Sequence, residues 1–344
     1  MKNRFMLAPL TNTQSHADGR LSDAERNWLT LRAKGGFGLT MTCAAHVQQH
    51  GQGFPGQLGI WSDTHLEGLT RLATDIKAAG SLSAVQLHHA GMRSPKDLVG
   101  QPVAPSDDPD TGARSLSEAE VEALIADFVA AAVRAEKAGF DGVEIHGAHG
   151  YILAQFLSAD TNRRTDRFGG SLANRASVIF EILDGVRKSC GPTFQLGLRL
   201  SPERFGLQLD EMVDLVREVL HRQQLDYLDM SLWDVTKEPE DPKFKGKTLM
   251  SYFTALDRGA TRLGVAGKIT SARRAQAMLD HGADFVLLGR AAILHHDFPM
   301  RALADPEFVQ TALPVSAAYL AKEGLGDSFI TYMRAWKGFV AEDA

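Results

Sequence analysis

A chain of 344 residues with 44% hydrophobic and 23% charged side chains has material for a sizeable core, and its length alone admits one large barrel or two ordinary domains. A formal net charge of -5 and the lack of any basic run argue against a nucleic-acid partner, and no apolar stretch approaches the roughly 20 residues of a membrane span. The amino terminus shows no targeting pattern, so a cytoplasmic protein acting on small molecules away from membranes is expected; its two cysteines, Cys43 and Cys190, form neither a disulfide framework nor a metal spacing.

Apolar runs of β character fall at residues 5–9, 38–44, 83–87, 141–146, 194–200, 227–231, 263–267 and 285–289, and they alternate with helix-like segments. Eight such repeats predict an α/β fold of the (β/α)8 TIM barrel type, occupying residues 1–344 as a single domain. The helix expected over 117–138 opens on a capping-box pattern, Ser117 followed by Glu120, and closes at Gly139; another over 271–281 closes at Gly282. No proline- or serine-rich linker divides the chain. A doubly wound open sheet would want a glycine-rich turn after an early strand, and no GxGxxG occurs there.

In a barrel the carboxyl ends of the strands carry the chemistry. In chain order those ends hold Gln86 with His88 and His89, then His146, His149 and Tyr151, then Arg199, then Trp233, and finally Gly267-Lys268 and Gly289-Arg290. Two imidazoles can donate hydrogen bonds to a substrate oxygen and a phenol can give a proton to carbon, which is chemistry for polarising a carbonyl. Gly267 and Gly289 let the backbone approach an anion onto which Arg290 can fork two hydrogen bonds, a phosphate site, although left-handed turns also demand glycine. From the residues alone, His146 and His149 fit equally a catalytic pair, core histidines or an HxxH metal pair. The metal reading makes a hydrolase with His88 and His89 as further ligands, but no carboxylate stands at the fifth and sixth strand ends. Arg199 also suits a structural salt bridge. His295 and His296 are expected on a solvated helix start, and Trp61 in packing.

Together these residues resemble the Old Yellow Enzyme family of flavin-dependent ene-reductases over nearly the whole chain. The resemblance is carried by Asn3-Arg4-Phe5-Met6-Leu7-Ala8-Pro9-Leu10-Thr11, Gly59-Ile60-Trp61-Ser62-Asp63, Val85-Gln86-Leu87-His88-His89-Ala90-Gly91 and the motif from His146 to Tyr151. Its most specific piece is Asn162-Arg163-Arg164-Thr165-Asp166-Arg167-Phe168-Gly169-Gly170-Ser171-Leu172-Ala173-Asn174-Arg175. It implies non-covalent FMN at the carboxyl mouth, NADPH or NADH as reductant, and ping-pong hydride transfer to the β-carbon of an α,β-unsaturated carbonyl compound. Pro9, Leu10 and Thr11 are then expected to line the flavin, Ala44 to supply a backbone contact, Gln86 to bond the pyrimidine edge and Arg199 to sit beside N1 and O2. Gly267, Gly289 and Arg290 would hold the phosphate, His146 and His149 the substrate carbonyl, and Tyr151 would protonate the α-carbon. No metal is implied, and a homo-oligomer is.

An amine dehydrogenase or demethylase on the same barrel is the alternative within the flavin class. A non-catalytic flavoprotein would lack the proton donor or the histidine pair, and both are present. Two cysteines cannot ligate an iron–sulfur cluster. The chain departs from the family pattern at Thr13, where some bacterial relatives have tyrosine, at His88, often a small residue, and at Met92, commonly arginine. The hairpin that usually precedes the first strand is expected to be short or missing. The unfamiliar segment 231–239 places Trp233 where it would narrow the substrate mouth and alter substrate preference. The apolar tail at 329–336 is expected either to form an interface or to seal the barrel.

Overall fold

The computed structural model describes residues 1–342. Eight parallel strands, β1 (Phe5–Leu7), β2 (Leu39–His46), β3 (Leu82–His88), β4 (Gly142–Gly147), β5 (Gln195–Leu200), β6 (Tyr227–Ser231), β7 (Arg262–Ala266) and β8 (Phe285–Leu288), pair in sequence and close through β8 onto β1. Each forms within two residues of its predicted run. Strands buried on both faces explain the near-continuous apolar runs. Their inward side chains, among them Met6, Met41, Ala84, Tyr227, Phe285 and Leu287, make a cluster inside the barrel. The alternate ones, such as Leu7, Val85, Ile145, Leu198 and Val265, join a separate core under the helices.

The outer layer includes α1 (Asp23–Lys34), α2 (Leu66–Ala78), α3 (Glu118–Lys137), α4 (Leu172–Ser189), α5 (Leu209–His221) and α6 (Ala272–Asp280). The start of α3 follows from its capping box: Ser117 Oγ accepts from Glu120 N–H at 3.3 Å and the Glu120 carboxylate accepts from Ser117 N–H at 2.8 Å. Such a cap contributes about 1 kcal/mol. The helix buries Val121, Leu124, Ile125 and Phe128 against the barrel, at the spacing of one helical face. Among the described residues no helix is long and apolar enough to cross a membrane.

The expectation for His295 and His296 is corrected. Both follow the short helix Arg290–Leu294 at its end, and His295 is 2% exposed. Its Nε2 accepts from Thr311 N–H at 2.9 Å, while His296 Nδ1 meets the Glu323 carboxylate at 2.7 Å. The returning carboxyl-terminal segment covers them, a long-range contact with no local signal. That segment also contains the helix Asp327–Arg334, here α7, whose Phe329 is buried edge-on against Trp28 of α1 at 5.4 Å. The tail therefore packs on its own barrel, and Trp336 stands at the mouth with 42% of its surface exposed.

Candidate active site

Two-residue alternation turns Gln86 and His88 of β3, Glu144 and His146 of β4, Gly197 and Arg199 of β5, and Tyr227, Asp229 and Ser231 of β6 toward the barrel axis. Each pair or trio puts one residue deep and the last at the mouth. There a cavity of about 660 Å³ is lined by Pro9, Leu10, His149, Arg199, Trp233, Gly267, Gly289 and Arg290, bringing together eight of the predicted site residues. Thr11, Ala44, Gln86, His146 and Tyr151 are not among its lining residues. The Ala44 carbonyl accepts from Gln57 Nε2 at 2.7 Å, and the Gln86 amide donates to Glu144 Oε1 at 2.7 Å. A larger cavity, about 1020 Å³, opens between residues 2–5 and α6 at the amino-terminal end, where no strand delivers its carboxyl end.

Past β4 the chain reverses through His149 (φ 61°) and Gly150 (φ 71°), which swings Tyr151 back over the strand end. A Cβ on Gly150 would stand 2.8 Å from the Phe205 ring. A left-handed histidine costs roughly 1–2 kcal/mol, and its backbone is held there by an N–H bond to Ser201 Oγ at 3.0 Å. The result is a ring cluster: His146 lies 5.1 Å from His149 and 5.3 Å from Tyr151, and His88 lies 4.4 Å from Tyr151.

Burial, followed by the neighbouring imidazoles and Arg199, drives His146 well below the usual histidine value of 6.5; burial, followed by Arg199 and Arg93, does the same to His149. Burial likewise takes His88 down to about 3. All three are neutral at physiological pH, each with one N–H. His146 Nδ1 accepts from Ala148 N–H at 3.3 Å, which leaves Nε2 as the protonated nitrogen. His149 Nε2 lies 2.7 Å from Ser231 Oγ, to which Arg199 Nη2 donates at 3.3 Å. Burial raises Tyr151 above 10, opposed by Arg93, whose guanidinium lies 4.7 Å from the phenol ring centroid and hydrogen-bonds the His149 carbonyl.

At the other side of the mouth, Gly267 adopts φ 151°, and a Cβ there would meet the Trp233 and Asp234 backbone at 2.8 Å. A Cβ on Gly289 would meet only Leu10, at 3.4 Å, so the backbone is open to the cavity. Arg290 is exposed and its side chain has no hydrogen bond or ion pair with another described residue, whereas Lys268 and Arg274 both pair with Asp234. An unpaired guanidinium beside two glycines whose backbone faces the cavity suits a phosphate. Trp233 (φ 63°, 46% exposed) forms one wall, 6.0 Å from His149 and capped by Arg204 at 4.9 Å.

Glu144, Asp229, Ser231 and Arg93 escaped sequence analysis. Alternation along Tyr227-Leu228-Asp229-Met230-Ser231 is the signal that could have found the sixth-strand pair, since a polar residue at every second position of a buried strand must face the barrel interior. Met92 stands where the resemblance implies an arginine, and its neighbour Arg93 sets its guanidinium over the Tyr151 ring. Arg199 fits both of its readings, lining the cavity while its Nε lies 2.9 Å from Asp229 Oδ2. Among the described residues no three His, Cys, Asp or Glu side chains converge as metal ligands, and His89 turns to His50 at 5.3 Å.

A closed parallel (β/α)8 barrel with a basic, glycine-lined mouth beside a histidine–tyrosine cluster defines a cofactor-binding barrel enzyme. Residues 1–307 match the model of the NADH:flavin oxidoreductase / NADH oxidase family, and the chain belongs to that family. It is 39% identical over 313 residues to the probable NADH-dependent flavin oxidoreductase YqiG of Bacillus subtilis (strain 168), covering 88% of this chain and 84% of that one. Among solved structures it is similar to morphinone reductase in complex with tetrahydroNAD, with a TM-score of 0.79 and 31% identity over 95% of this chain and 93% of that one. It is also similar to the Old Yellow Enzyme homologue from Zymomonas mobilis, with a TM-score of 0.80 and 28% identity over 95% of each chain. The protein is thus an FMN-dependent NAD(P)H oxidoreductase of the Old Yellow Enzyme family.

Proposed function

We propose that this oxidoreductase reduces the activated C=C bond of α,β-unsaturated carbonyl compounds in a ping-pong cycle. The observation that carries the proposal is the His146–His149–Tyr151 ring cluster at the mouth, His146 buried and His149 and Tyr151 half-buried, in surroundings that favour neutral imidazoles and a protonated phenol. FMN, when bound, supplies the hydride chemistry, taking reducing equivalents from NAD(P)H and passing them to the alkene. Arg290, Gly267 and Gly289 would hold its phosphate, Pro9, Leu10 and Thr11 one face of its ring, and Ala44 and Gln86 its polar edge. Arg199 would set a cation where negative charge gathers on reduction. His146 and His149 would donate to the substrate carbonyl oxygen and draw electron density from the β-carbon. Tyr151 would give its proton to the α-carbon, and Trp233 would limit the width of the substrate.

Anaerobic titration followed by absorption spectroscopy tests the assignment. The flavin band should bleach with NADPH or NADH and return with cyclohexenone; a band that bleaches and stays bleached on addition of the enone would reject alkene reduction while leaving the oxidoreductase class intact. Arg290→Ala should weaken FMN binding by about 10- to 100-fold, the equivalent of one charge-assisted contact of roughly 1.5–3 kcal/mol, as read by fluorescence titration of the flavin-free protein. Unchanged affinity would move the phosphate elsewhere.

A further inference from the structure

Beneath the mouth lies a buried charge cluster that the proposed reaction leaves unused. Glu144 of β4 and Asp229 of β6 are both fully buried, and β5 runs between them carrying Gly197 and Arg199. Gly197 pairs with Tyr227; a Cβ there would stand 2.1 Å from the phenol Cζ, so only glycine admits the ring that brings its hydroxyl beside Glu144. Arg199 Nε lies 2.9 Å from Asp229 Oδ2, and Gln86 Nε2 donates to Glu144 Oε1 at 2.7 Å. Glu144 Oε2, Asp229 Oδ1 and the Tyr227 hydroxyl are buried with no hydrogen bond. The remaining strands turn apolar residues such as Met6, Met41, Ala266 and Leu287 inward. The other titratable groups facing the cluster are neutral His146 and His149 above it and Asp226, paired with Arg187, at the lower end of β6.

The one cation of the cluster, Arg199, is in contact with Asp229, which leaves the fully buried Glu144 carboxyl with the neutral Gln86 amide and no counter-ion against it. A buried carboxylate with no partner takes a proton rather than remain charged. We propose that Glu144 and Asp229, on either side of β5, form a charge-coupled pair that carries one proton in total, held on Glu144 as a neutral acid against Gln86 and Tyr227 while Asp229 balances Arg199. Burial, then the charge of Asp229, lifts Glu144 to about 8, and burial, opposed by Arg199, lifts Asp229 to about 6, in agreement with that assignment. With its amide nitrogen committed to Glu144, Gln86 turns its carbonyl oxygen away from the pair.

The functional consequence rests on the proposed placement of the flavin pyrimidine edge at Gln86 and Arg199. Between about pH 6 and 8 the cluster under that edge carries no net charge; above that range, ionised Glu144 leaves one net negative charge that opposes the charge collecting on reduced FMN. Reduction delivers two electrons and one proton from the nicotinamide, and above pH 8 a further proton is drawn from water onto Glu144. The midpoint potential of bound FMN accordingly falls more steeply with pH above 8 than below it.

Infrared spectroscopy tests the pair directly. The holoenzyme should show a carboxylic-acid C=O band at pH 7 that disappears as the pH rises through about 8. Glu144→Gln, which retains an acceptor for Gln86, should lack the band and also lose the steepening of the midpoint potential. Asp229→Asn should lose the band although Glu144 is present, because Glu144 then becomes the sole counter-charge of Arg199; a merely structural role would not move it. Absence at pH 7 of a wild-type acid band that Glu144→Gln removes overturns the proposal; a band common to both proteins belongs to another buried carboxyl such as Glu25, which burial also raises. Should Glu144→Gln fail to fold, the wild-type titration and Asp229→Asn decide the question. The flavin-free protein should show the same band, so a chain that reduces no enone yet displays it would refute the proposed function and leave the proton site standing.

Discussion

Tyr151→Phe is expected to slow reoxidation of the reduced enzyme by an enone by about 10²- to 10⁴-fold, the range that a positioned general acid contributes. Reduction by NAD(P)H requires no proton at a substrate carbon and should continue. The substitution keeps the ring that packs on His88 at 4.4 Å and lies under Arg93 at 4.7 Å, so folding should be retained and the loss isolates the hydroxyl. Stopped-flow measurement of the two half-reactions separates these effects; equal slowing of both, or of neither, would remove Tyr151 from the proton-donor role. Because burial raises its pKa above 10, the acid form persists through neutral pH, and activity should decline only in the alkaline range as the phenol ionises.

His146→Ala is expected to cost about 10²- to 10³-fold in the same half-reaction, the effect of removing one preorganised donor aimed at developing negative charge. The pH dependence identifies which form of the imidazole acts. Burial and the neighbouring positive charges depress His146 and His149 well below 6.5, so the charged forms appear only at distinctly acid pH. Single-turnover rates of the wild type should therefore show no step through pH 6.5. A rate that climbed as pH fell through that value would mean that imidazolium, not neutral imidazole, polarises the carbonyl.

Near-continuous apolar runs made the eight strands legible because a parallel barrel strand is buried on both faces and each run is bounded by local turn chemistry. Ser117 and Glu120 marked the start of α3 for the same reason, since a capping box involves only residues three apart. The strand-end residues were legible as candidates because a barrel presents its carboxyl ends to one mouth. His295 was misplaced because what buries it comes from residues 308–319, and nothing within its own turn records that contact. The reversal at His149 was also invisible: a left-handed histidine is specified by Ser201 and Phe205 on the neighbouring strand's loop.

The sequence by itself determined that this protein is a (β/α)8 barrel with glycines at its last two strand ends and a His–His–Tyr motif at the fourth, because periodicity, capping and strand-end composition are local properties of the chain. Only the tertiary structure decided how those residues are charged and paired. Arg93 over Tyr151, Asp229 against Arg199, and Glu144 between Gln86 and Tyr227 join residues 30 to 83 positions apart across strands and loops. A protonation state depends on the burial and the neighbours that such closure creates, and neither exists until the barrel has formed.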